Sequence, residues 1–415
     1  MDNNRIIFHV DVNSAYLSWT AAHKLQQGES LDLRTVPSVV GGDVESRHGI
    51  VLAKSRLTIK YNITTGEPIY QALGKCKGLI VVPPNYNLFM KCSNAMVELL
   101  REYTPEIQRF SVDECFLEMS NYKENYIEKA EEIKSRIEKE LGFTVNIGIS
   151  NNKLLAKMAS DFKKPNNIHT LFPEEIKRKM WPLPVEDLFM VGRATKPKLN
   201  KLNIYTIGEL AKYDYDILLR IFKSFGRVLY QYANGIDDSQ VRRSRDVNIK
   251  GMGNSTTIAY DIDTTEDAFK VLLSLTETTA TRLRKSGNLC SLVAVSIKTN
   301  TFISYSHQRK LIVPTDSTNI IFDNIKEAFL KSWKGETIRH LGVRVTEFNN
   351  NDFYQSSIFE DNNIEKYRKL DKAMDNIRAK YGASSVIRST FIQSGVKPLE
   401  GGNGEEDYLF MSSIL

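Results

Sequence analysis

Three short runs, two of them rich in β-branched residues and one with an alternating apolar pattern, constrain the fold of this chain most strongly; segments with helical spacing separate them. The runs are RIIFHVDV at 5–12, RFSVDECFLEM at 109–119 and FTVNIGIS at 143–150. Runs of this length and composition are typical of buried strands. Strands separated by helices, with one alternating pair, predict an α+β or mixed-sheet domain.

The segments around these runs complete the first part of the chain. Helical spacing predicts helices over 14–25, 85–103, 123–141 and 152–161, and further short strands are predicted at 49–53 and 79–83. From about 174 to 238 the pattern changes to short, lysine-rich helices, which indicates a small helical unit.

The second part of the chain repeats a strand and helix alternation. Strands are predicted near 255–260, 290–299, 308–313 and 339–346, with helices at 265–286 and 317–333. This order, βαββαβ, predicts a second compact α+β domain. The tail after 347 is polar, with one helical segment near 364–381, and we expect it to have no core of its own.

Composition excludes several classes of protein. A chain of 415 residues that is 41% apolar and 26% charged can bury a core, so it is neither a peptide nor a fibrous or disordered scaffold. It contains no apolar stretch of 18 residues and begins without a signal-peptide pattern, so we expect no membrane association and a cytoplasmic location. Four cysteines without CxxC spacing indicate reduced thiols and no zinc site.

The net charge of +6 is unevenly distributed along the chain. Counted by segment, the net charge is −1 over 1–176, +4 over 177–240, +6 over 241–346 and −3 over 347–415. Excess positive charge in the middle of the chain is what a nucleic-acid-binding surface requires.

Acidic residues lie on two of the predicted strands. Asp11 ends the first, and Asp113 and Glu114 lie inside the second. Carboxylates brought to one edge of a sheet suit Mg²⁺, which binds carboxylate oxygens together with substrate phosphates. The alternative is structural: Asp11 would cap the following helix, and the other two acids would form a solvated strand edge.

Three motifs in order resemble those of the Y-family (translesion, DinB/UmuC-like) DNA polymerases: HVDVNSAY, SVDECFLE and GISNNKLLAKMASDFKKP. The resemblance extends over essentially the whole chain. It implies a right-hand polymerase fold with palm (1–30 and 78–173), fingers (31–77), helical thumb (174–240), βαββαβ little finger (241–346) and a C-terminal tail (347–415). It also implies low-fidelity, template-directed synthesis by a two-Mg²⁺ mechanism on primer-template DNA and deoxynucleoside triphosphates.

The resemblance assigns roles to single positions. Asp11, the backbone carbonyl of Val12, Asp113 and Glu114 match the metal-binding positions, with the three acids as catalytic residues. Tyr16 matches the aromatic steric gate against a ribose 2′ hydroxyl, and Lys157 matches a lysine that reaches the triphosphate. Ser111 lies beside the site, and we expect it to be structural.

The finger segment departs from the family pattern. In AKSRLTIKYN, Arg56 stands where the family has a tyrosine and Ile59 where it has a basic residue. Arg56 could bind a phosphate bidentately, assisted by Lys54 or Lys60. A solvated helix face is the competing interpretation.

Two segments resemble the DNA-binding parts of the family. Residues 188–210 resemble a helix-hairpin-helix, which turns backbone N–H groups toward a DNA phosphate and would use Gly192, Arg193 and Lys196. Met190 replaces the usual first glycine, so we expect a looser hairpin. On the little finger, basic residues are expected to form a stripe on one face of the sheet: Arg242, Arg243, Arg245, Lys298, Arg309, Lys310, Arg339 and Arg344.

A short segment of the tail, Gln355-Ser356-Ser357-Ile358-Phe359, resembles the peptide by which bacterial polymerases bind the sliding clamp. Gln355, Ile358 and Phe359 would be its anchors in a groove of the clamp. We expect the protein to be a monomer that works with this partner.

Two other functions compete with the polymerase. One is a catalytically inactive clamp-binding or DNA-binding protein of the same fold, which the presence of all three acids disfavours. The other is a nucleotide cyclase, suggested by GGDVE at 41–45. That string is short, and it would leave the basic middle of the chain without a purpose.

Overall fold

The computed structural model describes residues 5–43, 47, 49–242, 249–350, 364–396 and 398. The chain forms two compact units. The first contains residues 5–42 and 50–242, and the second contains 249–350 and 364–396.

The predicted strands and helices are present in the predicted order, but the strands Ser38–Gly41 and Ile168–Thr170 were not predicted, and the strand predicted over 109–119 forms two strands. The strands are β1 (Ile7–Val12), β2 (Ser38–Gly41), β3 (Val51–Lys54), β4 (Ile80–Val82), β5 (Ile107–Arg109), β6 (Glu114–Glu118), β7 (Val145–Ser150), β8 (Ile168–Thr170), β9 (Gly251–Ile262), β10 (Asn288–Thr299), β11 (Ser304–Thr315) and β12 (Ile338–Asn350). The helices are α1 (Ala15–Gln26), α2 (Ile69–Lys75), α3 (Tyr86–Arg101), α4 (Tyr126–Arg136), α5 (Lys153–Ser160), α6 (Ile176–Lys179), α7 (Lys196–Asn200), α8 (Ile207–Ala211), α9 (Tyr215–Phe222), α10 (Ser224–Ala233), α11 (Thr265–Lys285), α12 (Thr318–Ser332) and α13 (Ile364–Tyr381).

A five-stranded sheet of order β5-β6-β1-β7-β8 organises the first unit. Every residue of β1 and β7 is buried, because helices cover both faces of these central strands. Phe8, Val10 and Val12 pack into the large core with α1, α3 and α4. Ile7 packs on the opposite face against Ala156 of α5. Successive side chains alternate between faces, so Asp11 lies on the α5 face as well.

Two smaller parts of the first unit have cores of their own. The three-stranded sheet β3-β2-β4 packs on α2 around Val39, Val51 and Ile69. Helices α6 to α10 enclose a third core, which includes Leu199, Leu210 and Leu229, together with one side of α5.

The second unit has the predicted βαββαβ order. Its strands form an antiparallel sheet of order β11-β10-β12-β9. Val293, Val295 and Ile297 on β10 point into a core shared with α11 and α12. The alternate residues of β10 therefore lie on the face of the sheet without these helices.

The tail does more than the sequence predicts. Helix α13 lies where it was expected, but Phe391 and Val396 after it are buried in the core of the second unit. Asp371 and Arg378 of α13 are also buried. The missed signal is a set of charges on α13 that pair with Arg284 and Glu277 of α11, which periodicity of apolar residues does not reveal.

None of the described helices combines the length and the apolar composition of a membrane span. All four cysteines are free thiols, as the sequence predicts.

Candidate active site

The register of three strands places polar side chains side by side. Asp11 on β1 lies opposite Glu114 on β6 and opposite Asn146 on β7. Residues in register on neighbouring strands share a face of the sheet, so these three side chains form a row on the α5 face. Two acids distant in sequence are thereby brought to one place.

Asp113 lies in a tight turn and not within a strand, which corrects the sequence prediction of one continuous strand over 109–119. The backbone N–H groups of Phe110 and Ser111 both donate to the carbonyl oxygen of Glu114, which closes the turn. The Ser111 hydroxyl donates to Asp113 Oδ1 over 2.5 Å, and so orients that carboxylate. Ser111 thus has a direct role beside the site.

Helix α5 brings a cation to the acids. Gly148 on β7 allows the close packing of α5, since a Cβ atom there would lie 2.0 Å from the carbonyl oxygen of Ala156. Lys157 donates from Nζ to Glu114 Oε1, and the same nitrogen lies 3.6 Å from Asp11 Oδ2. The predicted site lysine is therefore paired with two of the predicted acids.

A second lysine at the site was not singled out from the sequence. Lys164, in the loop between α5 and β8, donates from Nζ to Asp11 Oδ2 over 2.9 Å and lies 2.9 Å from Asp161 Oδ1. The only sequence signal was its place in the KKP string four residues after α5. Its pairing depends on the path of the loop, which spacing does not give.

Burial and neighbouring charges shift the pKa values of the acids and of Lys157 at this site. Burial raises the pKa of Glu114 to about 7, although the charge of Lys157 opposes the shift. Burial also raises the pKa of Asp113, and the neighbouring charge of Asp11 adds to it. Burial acts to lower the pKa of Lys157, yet the charges of Glu114, Asp161 and Asp11 raise it above its ordinary value. The acids of the site therefore repel one another, and the lysine ammonium groups beside them offset that repulsion.

The carboxylates of the site are suitable ligands for a divalent cation, but their present positions do not enclose one. Among the described residues, no three acidic, histidine or cysteine side chains are close enough together to enclose an ion. The two lysine ammonium groups stand between the carboxylates and neutralise them. Hard carboxylate oxygens that already attract cations are suitable ligands for Mg²⁺.

Tyr16 lies in the first turn of α1, five residues after Asp11. Its ring stacks on that of Phe89, with centroids 4.3 Å apart and planes 8° from parallel. The ring of Tyr86 meets Tyr16 edge-on at 6.2 Å. The half-buried Tyr16 ring is thus held in a fixed orientation, which a residue that selects by shape requires.

The basic residues of the finger segment differ in their freedom. Arg56 and Lys60 are exposed on the 3-10 helix Arg56–Tyr61, where Lys60 Nζ lies 4.9 Å from the ring of Tyr61. Lys54 donates to the backbone carbonyl of Ile63, so it supports the local fold. Arg56 and Lys60 remain available to a ligand, and Lys54 does not.

In the predicted hairpin, Met190 adopts the backbone conformation of the glycine that it replaces. Met190 has φ of 77°, in the left-handed region that glycine favours. Gly192 and Arg193 are exposed, and the Gly192 carbonyl accepts from the N–H groups of Thr195 and Lys196. The Lys196 ammonium lies 2.6 Å from Glu186 Oε1.

In the second unit, one face of the sheet is not covered by α11 and α12, and we call it the open face. The strand register places Lys298 and Arg344 on this open face. This face carries a groove of about 630 Å³ lined by Gly253, Ser255, Ser296, Gly342 and Arg344, among others. Arg309 is a correction to the predicted stripe. It pairs with Val293, whose side chain faces the core, and it binds Asn324 and Glu327 of α12.

Of the other residues predicted to bind DNA or the clamp, Arg242 lies in the described part of the chain. Arg242 is exposed, and its backbone N–H donates to Gln108 Oε1 over 3.2 Å. Arg243, Arg245, Gln355, Ile358 and Phe359 lie outside the described residues.

Family models match most of the chain. The impB/mucB/samB family matches residues 10–161, its C-terminal domain matches 249–358, and the helix-hairpin-helix motif of the same family matches 173–204. The motif thus begins earlier in the chain than the predicted segment 188–210.

Curated relatives match along their full length. A protein named DNA polymerase IV from Clostridium acetobutylicum is 48% identical, with 95% of this chain and 100% of the relative covered. A DNA polymerase IV from Acetivibrio thermocellus is 37% identical, with 94% and 98% covered. DNA polymerase IV 1 from Bacillus subtilis is 33% identical, with 98% and 97% covered.

Solved structures share the fold. A Y-family DNA polymerase chimera containing Dbh matches with a TM-score of 0.70 at 21% identity, covering 83% of this chain and all of the other. An insertion ternary complex of Dbh DNA polymerase matches with a TM-score of 0.58 at 22% identity, with the same coverage.

Proposed function

The chain belongs to the impB/mucB/samB family of bacterial Y-family, DinB-like DNA polymerases, and we propose that Asp11, Asp113 and Glu114 form its catalytic centre. The protein is a DNA-directed DNA polymerase of translesion synthesis. As a bacterial DNA polymerase, it is expected to work in the cytoplasm on a primer-template with deoxynucleoside triphosphates. The same fold as an inactive binding protein has no observation in its favour.

One observation carries the assignment of the centre: Asp11 and Glu114 face each other across β1 and β6 with the Lys157 ammonium between them. We assign the three acids and the backbone carbonyl of Val12 as ligands of two Mg²⁺ ions. Bound there, the ions would activate the primer 3′ hydroxyl and offset negative charge on the leaving pyrophosphate.

The lysines supply positive charge on both sides of the reaction. In the structure Lys157 and Lys164 neutralise the carboxylates, which lowers the cost of holding acids together in a buried place. When the carboxylates are engaged by cations, the ammonium groups can turn to the triphosphate oxygens, which they suit as point charges.

Tyr16 and the finger residues would act on the same nucleotide. We propose that the Tyr16 ring lies under the sugar and clashes with a ribose 2′ hydroxyl, since its stacking on Phe89 leaves it little freedom to move. Arg56, with Lys60 beside it, takes the place of the family's usual finger contact to the triphosphate.

DNA would be held by backbone contacts. In the second unit we assign this role to the open face of the sheet with Lys298 and Arg344, and we leave Arg309 out. In the first unit we assign it to the hairpin with Gly192 and Arg193, to Lys196, and to Arg242. Lysine and arginine contacts to phosphates bind without reading sequence. Arg243 and Arg245 remain proposals from sequence alone.

The sliding clamp is the proposed protein partner. Gln355, Ile358 and Phe359 match the clamp peptide in sequence only. Deleting 355–359 should abolish stimulation of extension by the clamp and leave extension without the clamp unchanged. Stimulation that survived the deletion would reject the motif.

A primer-extension assay tests the catalytic assignment. Wild type should extend a primer with Mg²⁺, and Asp113→Ala should not. Glu118→Gln is the matched control, because Glu118 lies at the other end of β6, paired with Arg5, and should retain activity. Activity in Asp113→Ala, or none in wild type, would overturn the proposal.

A further inference from the structure

A buried amide lies beside the proposed catalytic acid. Asn146 is on β7 in register with Asp11, and its side chain is fully buried. A buried amide is costly unless its hydrogen bonds are made, because its oxygen and nitrogen lose their contacts with water.

The Asn146 side chain uses its full hydrogen-bonding capacity. Oδ1 accepts from Asn13 Nδ2 and from the backbone N–H of Asn167, both over 3.2 Å. Nδ2 donates to the carbonyl oxygens of Ser160 and Lys163, over 3.0 and 2.9 Å. Two donors meet one atom and two acceptors the other, so only one orientation of the amide fits.

A second asparagine extends the same arrangement. Asn13 Oδ1 accepts from the backbone N–H of Asn166 over 2.9 Å and from the Thr144 hydroxyl over 3.0 Å. Asn166 has φ of 58°, a conformation that is unusual for residues other than glycine and is held here by its neighbours.

Every backbone group that the two amides bind lies between Ser160 and Asn167. This is the loop that carries Lys164, whose ammonium reaches Asp11 Oδ2. The side chain of Lys164 is partly exposed, at 37%, so the packing around it fixes its position only in part. The path of the backbone is what brings its Nζ to the acids.

We propose that Asn146, assisted by Asn13, is a positioning residue that fixes the 160–167 loop so that Lys164 reaches the catalytic acids and the incoming triphosphate. The inference rests on the proposed function, because it assigns Lys164 to that centre. Its structural part, the pinning of the loop, is independent of activity.

Asn146→Asp is the informative substitution, because it keeps the size of the side chain. It replaces the Nδ2 donor with an oxygen that faces the carbonyl oxygens of Ser160 and Lys163, so two attractive contacts become repulsive. Asn152→Asp is the matched control: Asn152 is also buried and donates to a backbone carbonyl, that of Gly235, outside the loop.

Hydrogen exchange of the full-length protein without nucleotide is the first measurement. The amides of Asn166 and Asn167 should exchange faster in Asn146→Asp, by roughly tenfold or more if the loop opens. They should be unchanged in Asn152→Asp and in Lys164→Ala. Unchanged exchange in Asn146→Asp would overturn the proposal.

A double-mutant cycle with Lys164→Ala is the second measurement, by single-nucleotide primer extension. Each single variant should lower kcat/KM for the deoxynucleotide about tenfold, and the double variant should lose little more, because both act through one ammonium group. Fully additive losses would overturn the positioning role. A Lys164→Ala variant with unchanged kcat/KM would overturn the assignment of Lys164 to the catalytic centre. That result concerns the proposed function, and the hydrogen exchange would then decide by itself whether Asn146 fixes the 160–167 loop.

Discussion

Asp11 lies directly opposite Glu114 on neighbouring antiparallel strands, with both carboxylates on the face that α5 covers. The strand register fixes the two carboxylates beside each other, so their electrostatic repulsion is present in the folded state. The Lys157 ammonium reduces that repulsion. The site is therefore arranged for positive charge before any substrate arrives.

The dependence on Mg²⁺ should change with pH near neutrality. Burial raises the pKa of Glu114 to about 7, so this carboxyl is largely protonated below that pH. A carboxyl group must lose its proton to bind a cation, so binding strengthens as pH rises. We expect the Mg²⁺ concentration for half-maximal extension to fall from about pH 6 to about pH 8.

The measurement is a Mg²⁺ titration of primer extension at several pH values. Glu114→Gln, which has no proton to lose, should be weakly active, with a Mg²⁺ midpoint that does not depend on pH. A midpoint that is equally flat in the wild type would contradict the assignment of Glu114 as a ligand.

Selection of the sugar should depend on the ring of Tyr16. Tyr16→Ala removes the surface against which a ribose 2′ hydroxyl would clash, so discrimination against ribonucleotides should fall roughly 10- to 100-fold. Tyr16→Phe keeps the ring and its stacking on Phe89, and should keep the discrimination. The ratio of kcat/KM for the two sugars measures this, and an unchanged ratio in Tyr16→Ala would exclude Tyr16 as the gate.

The finger contact should belong to Arg56. Arg56→Ala should raise KM for the deoxynucleotide about tenfold, as expected for loss of a charge-assisted hydrogen bond to phosphate. Lys77→Ala is the control, since Lys77 is an exposed cation of the same region outside the 3-10 helix. Equal KM values for the two variants would return Arg56 to a solvated helix face.

Much of the fold could be predicted because it depends on local pattern. Burial of both faces makes the central strands rich in apolar residues, and VNIGIS (145–150) is entirely buried as β7. The acids could be found because the chemistry requires carboxylates and the motifs are local.

What could not be predicted depends on contacts distant in sequence. The face on which Arg309 lies is set by its pairing with Val293 and by its binding to α12. The pairing of Lys164 with Asp11 depends on a loop held by Asn146 and Asn13. Met190 was expected to loosen the hairpin, yet its backbone adopts the conformation of the glycine it replaces.

The two faces of the sheet in the second unit should differ in their effect on DNA binding. Lys298→Ala and Arg344→Ala should each weaken binding and reduce the slope of log K against log salt by about 1. Arg309→Ala should leave that slope unchanged, because its guanidinium is bound to α12. Fluorescence anisotropy at several salt concentrations measures all three, and an equal decrease in Arg309→Ala would contradict the division of faces.

Docking of the tail should contribute to the stability of the second unit through Glu277. This buried carboxylate of α11 accepts from Arg388 Nε over 2.8 Å and lies 3.4 Å from Arg378 Nη2. Glu277→Gln leaves the buried Arg378 and the partly buried Arg388 guanidinium groups without their counter-charge, which should cost about 3 kcal/mol of unfolding free energy. Thermal unfolding should show the loss, and limited proteolysis should cut near α13 earlier.

Lys369→Ala is the control, because Lys369 and its partner Glu365 are largely exposed, and it should change neither measurement. A Glu277→Gln protein with unchanged unfolding and proteolysis would mean that the apolar contacts of Phe391 and Val396 hold the tail without the ion pairs.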